Sequence, residues 1–320
     1  MSDAASLNHL PRLSITRHGR VETFNGSWYR GEHTNFIPSK ADLKEPDALE
    51  RYLLHGWLPP TPFIGRTAPI TAFGSCFAAH VAEYLAQRGY AVHGRHLDVH
   101  AHIIRFGEGI VNSFAILQQF EWALEGKPMP DNLWHGPNKE IAPVDPAIRD
   151  ETRAIIQSTD VFIITLGLSE IWYDKRNGEA FWRAIPAADF DESIHGFRIS
   201  TVEENRANLT RIVDLIRKWR PEAHVIFTLS PIPLMATFRP VSCLTANSVS
   251  KAILRVAVDE LMRERAADTR LHYFPSFEIV KEFLTDPFDT DNRHVRPEVV
   301  MRIMMAFEKH YCEAEAPVPA

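Results

Sequence analysis

The sequence predicts an α/β protein whose mostly parallel sheet is covered by helices on both faces. Two observations lead there. Short apolar, β-branched runs alternate with helical periodicity about five times after Ile70, and several of the helical runs carry stop or start residues at their ends. The chain is also long enough, at 320 residues with 45% hydrophobic and 24% charged residues, to bury a sizeable core.

The elements follow in order. "APITAF" reads as the first strand and "FAAHVAEYLAQRG" as the first helix, closed near Gly89. "YAVHG" reads as a second strand and "SFAILQQFEWALEG" as a helix ending at Gly126. "DPAIRDETRAIIQST" is helical, and "DVFIITLG" is the next strand. Residues 169–200 show no period, which marks a functional or flexible insertion. "TVEENRANLTRIVDLIRKWRP" is the strongest helix: Leu209, Ile212, Val213, Ile216 and Trp219 share a face, Thr201 and Glu204 form a capping box, and Pro221 stops it. "HVIFTLS" and "LHYFPSF" supply strands around the helix "SVSKAILRVAVDELMRERAA". A last helix starts near Pro297. Residues 1–67 read as an N-terminal extension wrapping one domain at 68–312, followed by a flexible tail at 313–320.

Bulk properties exclude several classes. A formal net charge of -6 leaves no footprint for nucleic acid. The longest apolar run, "VFIITLGL", is far short of a membrane span, and no signal-peptide core opens the chain, so a cytoplasmic protein is expected. Three cysteines with no CxxC argue for a reducing compartment and against a cysteine-rich metal site.

Chemistry in a parallel α/β fold sits beyond the carboxyl ends of the strands. Ser75 in "FGSCFA" falls at such a junction, where it is either a nucleophile or a helix cap, with Cys76 as a rival thiol. Asp291 and His294 in "DTDNRHV" are separated by two residues, a spacing that lets a carboxylate hold the imidazole Nδ1 and free Nε2 as a base. Gly167, Ser169, Glu170 and Trp172 follow another strand; Glu170 reads as an acid, a substrate anchor or an arginine partner. Gly109 and Asn112 lie at a further junction, where the Asn112 amide donates to an oxyanion or caps the next helix. No GxxxxGK[ST] or GxGxxG follows a strand, which argues against a nucleotide. His96, His100 and His102 form the one metal-like cluster, although partners at ligand spacing are missing.

Taken together, "GSCFA", "NSFAILQQFEWAL", "TLGLSEIW", "SPIPLMATF", "SKAILR", "YFPSFEIV" and "DTDNRHV" resemble the GSCFA family, over about residues 68–311. That family is considered related to the SGNH (GDSL-like) hydrolases. The resemblance implies a flavodoxin-like three-layer α/β/α sandwich with a mostly parallel five-stranded sheet. It implies Ser75 as nucleophile, Asp291 and His294 as its partners, and an oxyanion donor at Gly109 or Asn112. With the backbone N–H of the Ser75–Cys76 corner, these are the expected oxyanion groups, and Gly167, Ser169, Glu170 and Trp172 are expected to line the substrate. Where a third-block Asn is usual, this chain has Ser169 followed by Glu170, and a glutamate cannot donate.

The expected function is therefore a serine esterase or O-acyltransferase acting on a small-molecule or carbohydrate ester, with no cofactor and no metal. Trp172, Tyr173, Phe181 and Trp182 suit sugar stacking or a hydrophobic cover. The alternatives are a non-catalytic binding protein with the same fold and a metal-dependent hydrolase built on the histidine cluster. Oligomeric state, acyl group and acceptor are not written in these motifs.

Overall fold

The computed structural model describes residues 12–17, 20–25, 35–94, 98–136 and 142–314. The chain divides into two compact units, Met1–Tyr52 and Leu53–Ala320. In the first unit β1 (Arg12–Arg17) pairs antiparallel with β2 (Arg20–Asn25), and the Ser14 and Thr23 hydroxyls meet at 3.0 Å.

In the second unit β3 (Ile70–Phe73) passes through Gly74 and Ser75 into α1 (Cys76–Gln87). A single turn, α2 (His102–Arg105), and a 3-10 turn at Gly107–Gly109 lead to α3 (Ser113–Glu125). Next come α4 (Pro146–Ser158), with its proline in the first turn, and β4 (Val161–Leu166). The aperiodic segment then forms an antiparallel pair, β5 (Glu170–Asp174) and β6 (His195–Ile199), with Trp172 opposite Phe197. A long irregular connection separates these short strands and hides any period of two. α5 (Val202–Trp219) opens with the expected capping box. Its residues Leu209, Ile212, Val213 and Ile216 are buried, whereas Trp219 at its end is 37% exposed. β7 (His224–Leu229), α6 (Cys243–Glu264), β8 (Leu271–Tyr273), the short α7 (Ser276–Glu278) and α8 (Pro297–Tyr311) complete the chain.

The main sheet runs β3-β4-β7-β8, all parallel. The expected strand at Tyr90–Gly94 is one bridge long: Val92 pairs parallel with Ile70 on the outer edge of β3. Counting that bridge, the order matches the flavodoxin-like 2-1-3-4-5 arrangement. Alternation divides the two sides of the sheet. Phe162, Ile164 and Leu166 of β4 join Val225, Phe227 and Leu229 of β7 in one core with α3, α5 and α6. Ile163 and Ile226 are buried outside that core, and α1 packs on β3, β4 and α8. Among the described residues no helix is long and apolar enough to cross a membrane.

Candidate active site

The corner between β3 and α1 is built by close approach. Gly74 has φ +121°, its N–H donates to the Gly107 carbonyl (2.9 Å), and a Cβ there would lie 2.1 Å from the Thr165 oxygen of β4. Ser75 follows in extended conformation as the N-cap of α1: its Oγ accepts from the Phe77 N–H at 3.2 Å, and only 4% of the residue is exposed. Ser75 and Cys76 line a cleft of about 1190 Å³ with Gly167 and Ser230, the residues that directly follow β4 and β7. The cleft thus opens at the carboxyl ends of the parallel strands, where the sheet topology places ligands.

Gly109, Asn112, Glu170 and Trp172 line the same cleft. Two of them are already committed to the fold. The Gly109 N–H donates to the Phe106 carbonyl (2.8 Å). Asn112 caps α3 through Oδ1, which accepts from Ala115 (2.9 Å), while Nδ2 donates to the carbonyls of Phe181 (3.1 Å) and Trp182 (3.4 Å). Asn112 therefore takes the capping role of its two readings. Gly167 donates its N–H to the Val111 carbonyl (2.8 Å). Ser169 is fully buried away from the cleft, bonded to Ser250 and Ser200. Both Glu170 oxygens lie within hydrogen-bond reach of the Thr237 hydroxyl, at 2.8 and 2.9 Å, and among the described residues no arginine pairs with it. What remains beside Ser75 is the Cys76 amide, at the first helical position, which makes no backbone bond among the described residues.

Asp291 and His294 come together as their spacing suggested. Asp291 Oδ1 accepts the backbone N–H groups of Arg293 (3.0 Å) and His294 (2.9 Å), and Oδ2 accepts from His294 Nδ1. The two backbone bonds and the ring hold the Asp291 carboxyl down at about 2. With Nδ1 protonated, Nε2 keeps its lone pair, and it accepts from Arg293 Nη1 at 3.2 Å. Arg293 lines the cleft; the His294 and Asp291 side chains are 61% and 45% exposed. Among the described residues no hydrogen bond joins Ser75 to His294.

Cys76 is a poor competitor, because burial pushes its thiol pKa up and keeps it protonated. The group that sequence reasoning missed is Lys251 of α6. It is 2% exposed and has no carboxylate partner among the described residues, and Nζ donates to the carbonyls of Gly167 (2.7 Å) and Ser230 (2.8 Å). It ties together the two strand ends that floor the cleft. Burial, with a smaller contribution from Arg293, pulls its pKa from 10.5 to about 7. A neutral amine has two N–H donors, which match the two carbonyls. The only signal in the sequence is a lysine on the apolar stripe Lys251, Leu254, Val258 and Leu261. Between pH 7 and 9 the unfolded chain holds a proton that folded Lys251 has given up, so stability rises with pH. The expected gain is about 2 kcal/mol over that window. Urea titrations should show this slope in the native protein and not in Lys251→Met; parallel slopes would refute it.

The histidine cluster does not assemble among the described residues. His96 lies outside them, and His100 lines the cleft. His102 is fully buried, stacked on Trp122 with its Nε2 at 3.0 Å from the Pro143 carbonyl, and burial pulls its pKa to about 4. Among the described residues no three His, Cys, Asp or Glu side chains gather as a metal site.

Fold and site define a parallel α/β sandwich with a helix-capping serine in a cleft at the strand ends. The chain belongs to the GSCFA family, whose model matches residues 69–307. No curated protein matches it. Among solved structures it is similar to an acetyl xylan esterase (Est2A) from the rumen bacterium Butyrivibrio proteoclasticus. Identity is 14% over 47% of this chain and 37% of that chain, with a TM-score of 0.24. That match spans little more than a third of the esterase.

Proposed function

We propose that the protein is a serine esterase or O-acyltransferase, with Ser75 as nucleophile, His294 as general base and Asp291 as its orienting carboxylate. The observation that supports this most is the position of Ser75, at the end of β3, the start of α1 and the wall of a deep cleft. In the proposed reaction Oγ adds to the ester carbonyl while His294 Nε2 takes its proton. The tetrahedral intermediate collapses as the imidazolium returns that proton to the leaving alkoxide. Water or an acceptor hydroxyl then repeats the sequence on the acyl-serine. Productive geometry requires the Arg293 guanidinium to leave Nε2 and the exposed imidazole to turn to Ser75. Catalytic hydrogen bonds commonly tighten only when substrate binds. The Cys76 N–H at the positive end of α1 is the proposed oxyanion donor. Acetyl esters of carbohydrates fit the aromatic wall, where Trp172 meets Phe238 edge-on at 4.8 Å.

A second reading, a binding protein that retains the fold, is favoured by the engaged amides of Gly109 and Asn112 and by the Arg293 contact on Nε2. A fluorophosphonate probe separates the two. The expected result is a single adduct on Ser75 that forms far more slowly in His294→Ala. No adduct at any pH would overturn the enzyme reading, and an adduct on Cys76 would transfer it to the thiol.

A further inference from the structure

One wall of the cleft carries two cations that pair with no carboxylate among the described residues. Arg105 and Arg183 both line it. The Arg105 guanidinium sits 5.3 Å from the centre of the Phe106 ring, and that of Arg183 sits 5.4 Å from the centre of the Trp134 ring. The two rings are themselves neighbours, with centroids 4.6 Å apart. Cation–π contact on adjoining rings restrains both guanidiniums without using their N–H donors. Among the described residues neither side chain has a hydrogen bond or an ion pair with a carboxylate.

The polar groups around this platform are donors as well. The indole Nε1 atoms of Trp134 and Trp172, both cleft residues, are buried and find no acceptor among the described residues. Of the two carboxylates that line the cleft, Glu170 accepts from the Thr237 hydroxyl at 2.8 Å, and among the described residues neither it nor Glu108 forms an ion pair with Arg105 or Arg183. Trp134 packs on the turn that meets the β3–α1 corner: a Cβ on Gly109 would lie 2.4 Å from its ring, and Gly107 of the same turn accepts the Gly74 N–H at 2.9 Å. Two cations on one aromatic shelf repel each other unless an anion lies between or across them. Guanidinium forks with additional N–H donors match the several lone pairs of an oxyanion.

We propose that Arg105 and Arg183 form an anion-binding subsite, and that the ester taken by this cleft carries a carboxylate or phosphate on its non-reacting part. The second half of this inference rests on the serine esterase reading; the subsite itself does not. The neutral remainder of the substrate lies against the aromatic and aliphatic wall around Trp172 and Phe238, and the anion fixes its direction in the cleft.

The test is a binding measurement independent of turnover: titration calorimetry with 2-naphthoate, 2-naphthyl phosphate and the neutral 2-naphthamide. At least one anion is expected to bind tenfold or more tightly than the amide, with affinity falling as salt is added. The tighter of the two identifies the head group. In the Arg105→Gln/Arg183→Gln double variant that preference should disappear while amide affinity stays unchanged. Equal affinity for all three probes in the native protein would overturn the subsite. So would a double variant that loses anion and amide binding alike. Repeating the titrations on Ser75→Ala separates the two proposals. Anion preference without fluorophosphonate labelling of the native protein sinks only the esterase; labelling without anion preference sinks only the subsite.

Discussion

Ser75→Gly is expected to lower turnover of an aryl acetate by about 10⁴- to 10⁶-fold while changing stability by only a few tenths of a kcal/mol. Glycine is the informative replacement because one Ser75 atom carries both an observed role and a proposed one. Its Oγ is the proposed nucleophile, and the same atom caps α1 by accepting from Phe77. Alanine removes both and should cost about 1 kcal/mol of stability. For a unit of this size that lowers Tm by roughly 2–4 °C. Glycine caps nearly as well as serine, so it removes the chemistry and keeps the helix start. Comparing the two variants by stopped-assay kinetics and thermal melting divides the roles. Both should be equally inactive, and only alanine should melt earlier. A Ser75→Gly protein that keeps more than a tenth of native turnover would show that the hydroxyl is a cap and nothing more.

The cap at Ser75 bears on what was legible in the sequence. A serine after a strand and before a helix satisfies the same local pattern whether it caps or attacks, so local pattern could not choose. Strand and helix periodicity placed β3, β4, β7 and their helices because each carries its own signal: consecutive apolar residues, a capping box at Thr201, a proline at Pro297. The β5–β6 pair carried none, since its register is fixed by partners across an irregular connection. Within the site, residues that follow strands reached the cleft as expected. Side-chain orientation was not legible: Ser169 turns into the interior while its neighbour Glu170 lines the cleft. Asp291 and His294 met because two residues of chain suffice. The Arg293 contact on Nε2 depends on a side chain reaching back across that turn, which spacing does not encode. Lys251 was obscured for a different reason. A single lysine on a helix stripe ordinarily snorkels to water, and only the two strand-end carbonyls meeting its Nζ reveal that it does not.

Gly74→Ala is expected to destabilise the protein by about 3 kcal/mol or more, a fall in Tm of roughly 10 °C. Two costs combine there. The φ of +121° is one that side-chain-bearing residues rarely adopt, and the new Cβ would stand 2.1 Å from the Thr165 oxygen and 2.9 Å from its carbonyl carbon. Those atoms are backbone of a central strand bonded on both sides, to β3 and β7, so neither can yield cheaply. Gly178 supplies the control. Its φ is also positive, at +79°, but a Cβ there would meet nothing within 4 Å. Gly178→Ala should therefore cost only about 1 kcal/mol, for the backbone conformation alone. The excess at Gly74, read from urea titrations of both variants, measures the close approach of the β3–α1 corner to β4. If Gly74→Ala proved no worse than Gly178→Ala, the corner would not be pressed against the strand as described. Where the Gly74 variant does fold, relief of the collision must shift the corner away from β4 and carry Ser75 with it. Turnover should then fall although no reacting group has been removed, because a displacement of about 1 Å at a nucleophile costs on the order of 10²-fold.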